Sequence, residues 1–66
     1  MAIGKEIKDQ KHIAQVANSL GKLFEKSENN EKAVESYRVS LEYNRKLKLH
    51  KFVKEIEEKI KKLGGS

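Results

Sequence analysis

The sequence predicts an all-α fold, a three-helix antiparallel array, and three observations carry that reading. Shifted by 40 residues the chain matches itself: Lys8, Lys11, Lys22 and Leu23 meet Lys48, Lys51, Lys62 and Leu63, while Ile13, Val16 and Leu20 meet Val53, Ile56 and Ile60. Apolar residues recur in steps of three and four, the period of a helix with one buried face. Turn-forming residues separate the periodic stretches. The chain is therefore one and a half copies of a helical repeat, a unit that cannot bury its apolar face alone. Such an architecture points towards binding rather than catalysis.

The first helix follows from Ile13, Ala14, Val16, Ala17, Leu20, Leu23 and Phe24, which fall along one broad stripe expected to be buried. It is expected over about 5–26, stopping before Ser27-Glu28-Asn29-Asn30, a cluster of turn formers. Asn29 is placed to cap the second helix, with Glu31 in its first turn. That helix, about 30–46, carries a stripe of Ala33, Val34, Tyr37, Ser40 and Leu41, and fades between Asn44 and Leu47 without a Gly or Pro to stop it. The third, about 50–63, turns Phe52, Val53, Ile56, Ile60 and Leu63 inward and ends at Gly64, a good left-handed cap. Residues 5–63 form one domain, with 1–4 and 64–66 expected as flexible ends, the last three resembling a linker or cloning remnant.

Sixty-six residues permit one domain with a small core, so stability must come from closely packed helices. With no Cys there is no disulfide framework or thiolate metal site, and no apolar run approaches the ~20 residues of a membrane span. A reducing, cytoplasmic setting and no membrane partner are expected. The net charge of +5 is uneven: residues 1–26 sum to +2, 27–44 to −2 and 45–66 to +5. Lys alternates with Glu at helical spacing in the basic tail, as on a solvated helix face.

Leu20-Gly21, Phe24, Ala33, Tyr37 and Leu41 resemble the tetratricopeptide repeat (TPR) family in its forty-residue form, with Asn29 at the family's turn and cap position. The small Gly21 and Ala33 let two helices approach, and Phe24 and Tyr37 fill the space on either side. Ala17 stands where the family has a bulky residue, Ser40 where it has a small apolar one, and Arg45 where many members have Pro. The resemblance covers residues 13–45 as a full repeat and 46–63 as a half, so the third helix is a capping helix. There Lys54, Glu57 and Lys61 replace the small Ala14, Ala17 and Gly21, giving the polar outer face a terminal helix needs.

What the resemblance implies is a protein-interaction adaptor that holds a peptide or partner helix in a groove lined by the first and third helices. By position the groove residues are Lys11, Gln15, Asn18 and Lys22, joined by Lys51 and Lys62. Lys11 with Lys51, and Lys22 with Lys62, would converge on a ligand carboxylate, while Asn18 would bond a peptide N–H and C=O together. Glu55 and Glu58 would oppose an acidic ligand at the centre. The family's three-helix clamp for acidic tails needs more first helices than this chain supplies. The alternative for the same charges is a solvated face paired as Lys51–Glu55 and Glu58–Lys62.

Arg45, Lys46, Lys48, Lys51 and Lys54 form a basic run that offers a second reading, nucleic acid or another polyanion held through phosphate contacts with Tyr43 nearby. A third is self-association, as a homodimer or as part of a longer repeat array, with Val39 and Tyr43 as a contact patch. No catalytic residues are expected. His12 and His50 lack a Ser-His-Asp ordering, no Gly-rich phosphate loop is present, and Asp9 with His12 makes no metal site. No cofactor is implied.

Overall fold

The computed structural model describes residues 3–64, with side chains from Asp9 onward. Three helices follow in order: α1 (Ile3–Lys26), α2 (Asn30–Lys46) and α3 (His50–Lys62). α2 packs against both neighbours, whereas α1 and α3 do not pack against each other. The helices thus form a thin array, 41 × 20 × 13 Å. None is long and apolar enough to cross a membrane.

α1 begins at Ile3, two residues before the expected start. Residues 1–2 and 65–66 lie outside the described residues. Asn29 caps α2 as expected, its Oδ1 accepting from the Lys32 N–H at 3.4 Å. The end of α2 is sharper than its sequence implies. Lys48 takes a left-handed conformation (φ 58°), and the Leu49 N–H reaches back to the Asn44 carbonyl at 3.0 Å. Glu28 does the same after α1 (φ 62°), with Asn29 N–H on the Phe24 carbonyl at 2.8 Å. Both turns close a Schellman motif on a residue other than glycine, so neither leaves a glycine in the sequence to mark it. Gly64, at φ 80°, holds the corresponding position after α3.

The core is small. Ala33, Tyr37, Ile56 and Ile60 cluster at its centre, with Phe24, Val34, Leu41 and Leu63 packed around them. Tyr37 is wholly buried and its ring lies against Gly21, where an added Cβ would come within 2.6 Å of two ring carbons. That close approach is the one expected of a glycine here. The Tyr37 hydroxyl donates to Glu25 Oε1 at 2.7 Å. Burial, then this bond and the carboxylate's charge, push the phenol well above its ordinary range.

Two expected inward faces need correction. Of the expected α1 stripe Ala14 and Ala17 are buried, as is Gly21 beside them, and Phe24 is partly so; Ile13, Val16, Leu20 and Leu23 are exposed. Seven apolar positions cover more of the helix than one neighbour can bury, and α2 takes the small-residue edge. On α3, Ile56 and Ile60 are buried, Val53 and Leu63 are half-buried, and Phe52 is 50% exposed. The expected charged outer face of α3 is present: Lys54, Glu57 and Lys61 are all exposed.

Candidate interaction groove

Because α2 is the only element touching both neighbours, α1 and α3 stand apart above it and enclose a groove of about 210 Å³. Its floor is polar. Ser40 Oγ donates to the Ala14 carbonyl at 2.9 Å, tying α2 to α1, and Asn44 Nδ2 donates to Ser40 O at 2.9 Å and Oγ at 3.1 Å. Ser40 and Asn44 are buried, so these bonds offset the cost of removing their polar groups from water. In a stripe that otherwise reads as apolar, Ser40 signals this network. Asn44 sits one turn further, where the sequence shows only a fading helix end.

Lys11, Gln15, Asn18 and Lys22 all line the α1 wall, as expected. The α3 wall is different. It is built from Phe52, Glu55, Ile56 and Lys59, while Lys51 and Lys62 stand outside the groove. The reason is geometric. A shift by one repeat maps like faces onto like faces, whereas two helices on opposite sides of a groove show each other opposite edges. At about 100° per residue, Phe52 and Lys59 occupy the edge turned back towards α1, roughly a quarter-turn from Lys51 and Lys62. The expected pairs Lys11–Lys51 and Lys22–Lys62 therefore do not converge. Lys59 supplies the third groove cation instead, its Nζ 5.4 Å from the centroid of the Tyr37 ring below. Glu55 is the groove's carboxylate; Glu58 faces elsewhere.

Asn18 is partly buried at the groove wall, and its Oδ1 is buried without a hydrogen-bond partner. A buried acceptor in that state costs about 1–3 kcal/mol. The groove thus combines a side-chain amide, three cations against one carboxylate, and an exposed aromatic ring at Phe52.

The basic run is dispersed. Arg45, Lys46 and Lys54 line a wider depression of about 1000 Å³ between α2 and α3, away from the groove, together with Arg38 and Lys61 and the carboxylates of Glu42, Glu57 and Glu58. Lys48 and Lys51 lie outside it. Arg45 is bound to Glu57 at 2.8 Å, and Lys46 lies 3.9 Å from Glu42 and over the Tyr43 ring at 5.1 Å. Ion pairs thus form at Arg45–Glu57 and Lys46–Glu42, whereas the alternative pairs Lys51–Glu55 and Glu58–Lys62 are not made. Val39 is exposed but Tyr43 is half-buried, so the expected contact patch is reduced. No protein-family model, curated protein or solved structure matches the chain.

Proposed function

We propose that this protein is a non-catalytic, cytoplasmic interaction module of TPR type that holds an extended acidic peptide, or one edge of a partner helix, in the groove between α1 and α3. The observation that carries the proposal is the groove's lining, in which Asn18 stands among Lys11, Lys22 and Lys59. A side-chain amide at that position suits a peptide backbone, since it can accept from an N–H and donate to a C=O. Lys11, Lys22 and Lys59 favour a carboxylate-bearing ligand over a basic one, and Phe52 offers an apolar contact beside them. Glu55 selects against carboxylates at the groove's midpoint, which favours acidic residues towards the ends of the bound segment.

The polyanion reading is the weaker of the two. Of its five cations only Arg45, Lys46 and Lys54 share one depression, and Arg45 and Lys46 already face carboxylates. Affinity of a fluorescent acidic peptide for the wild type, Asn18→Ala and Lys22→Glu tests the choice. Both variants are expected to keep full helicity while weakening binding by about tenfold, the equivalent of one hydrogen bond to a charged or buried group. Unchanged affinity in both moves the ligand off this groove.

A further inference from the structure

Four of the six large apolar side chains that the described structure leaves exposed lie on one helix face: Ile13 (38%), Val16 (43%), Leu20 (42%) and Leu23 (59%) of α1. This face is turned away from both α2 and the groove. In a repeat array such a face meets the second helix of the preceding repeat, as the corresponding face of α3 meets α2; a preceding copy of this chain would end on α3 instead, whose outward Lys54, Glu57 and Lys61 are charged. Head-to-tail stacking of copies is therefore disfavoured. What remains available is a face that complements itself, which is the requirement for a two-fold pair.

The spacing meets that requirement. Positions 13, 16, 20 and 23 are symmetric about the level of residue 18, so a reversed copy sets Ile13 against Leu23 and Val16 against Leu20, with no charged residue in any of the four layers. Beyond the apolar layers, Asp9 of each chain comes level with Ser27 of the other and beside its Lys26, giving two opposite-charge pairs by symmetry. A parallel copy would instead bring Asp9 to Asp9 and Lys26 to Lys26. The flanking residue at mid-helix is Ser19, exposed and uncharged. We propose that two copies of this protein associate antiparallel through the Ile13–Val16–Leu20–Leu23 face of α1, forming a homodimer. Lys11, Asn18 and Lys22 lie on the opposite side of α1, so both grooves stay open and the dimer is bivalent for any groove ligand.

Sedimentation equilibrium of the full chain from micromolar to millimolar concentration is expected to show mass rising to twice that of one chain. Leu20→Glu, at an already exposed position, is expected to keep its far-UV circular dichroism and to weaken association by more than about 30-fold. Because the chain has no Cys, single thiols report the register. A short bis-maleimide is expected to link Ser19→Cys to itself, and His12→Cys to Lys26→Cys in a mixture. It should not link His12→Cys to itself, since those positions fall about 18 Å apart along the axis. Monomeric mass at every concentration overturns the proposal and leaves this face to a helix of another protein. Self-linking of His12→Cys, or none at Ser19→Cys, overturns the antiparallel register.

Discussion

α1 and α3 are copies of one another by sequence, yet they end in opposite circumstances. Ile13, Val16, Leu20 and Leu23 correspond under the 40-residue shift to Val53, Ile56, Ile60 and Leu63. In α3 those four positions meet α2 and include the buried Ile56 and Ile60; in α1 all four are exposed. The small-residue edge reverses the relation. Ala14, Ala17 and Gly21 are buried under α2, while their counterparts Lys54, Glu57 and Lys61 face solvent. Each helix therefore presents to α2 only one of two possible faces. Apolar periodicity identifies a face that requires a partner, but not whether the same chain supplies it.

The largest effect is expected where the α1–α2 approach is closest. Gly21→Leu must displace the Tyr37 ring, whose carbons already lie 2.6 Å from the position of an added Cβ. Overpacking typically costs about 1–3 kcal/mol and more where backbone must move, a large share of what so small a core supplies. Loss of the cooperative thermal transition is the expected readout, and a normally folded variant contradicts the packing of α1 on α2.

Paired truncations of corresponding residues sharpen the contrast directly. Ile60→Ala is expected to destabilise by about 2–5 kcal/mol, as for a buried aliphatic side chain. Leu20→Ala, measured at concentrations too low for association, is expected to stay within about 0.5 kcal/mol. Equal losses in urea denaturation would mean that the two faces are buried alike.

Tyr37 gives a smaller effect with a defined pH dependence. Its folded-state pKa lies above the ordinary value near 10, so the native protein retains the proton after the unfolded chain has lost it. Its contribution is complete below about pH 10 and is lost as pH rises above that value. Tyr37→Phe is expected to cost about 1–3 kcal/mol at neutral pH through the bond to Glu25, and its difference from wild type should shrink in the alkaline range. A difference independent of pH would contradict the buried, hydrogen-bonded phenol. The smallest changes are expected at the turns. Glu28→Gly and Lys48→Gly relieve left-handed backbone in exposed residues and should each raise stability by up to about 1 kcal/mol in chemical denaturation.

Helix order, the Asn29 cap, the Gly21–Tyr37 contact and the Gly64 stop were legible because each depends on local period or on residue size. Two kinds of feature were not. Glu28 and Lys48 end their helices through backbone geometry that residue type does not announce. The α3 groove wall was misplaced because repeat correspondence carries Lys11 to Lys51 and Lys22 to Lys62, whereas a facing wall needs the other edge, Phe52 and Lys59. The four α1 positions of the candidate site follow from correspondence alone. The buried state of Asn18 Oδ1 depends on packing, and no sequence pattern reports it.

Amide chemical-shift mapping with an isotope-labelled chain and a short acidic peptide carrying one aromatic residue tests the groove most directly. Shifts concentrated at Asn18, Lys22, Phe52 and Lys59, with a large change in the Asn18 side-chain amide, are the predicted result. Shifts confined to Arg45, Lys46 and Lys54, or none at saturating peptide, would contradict it.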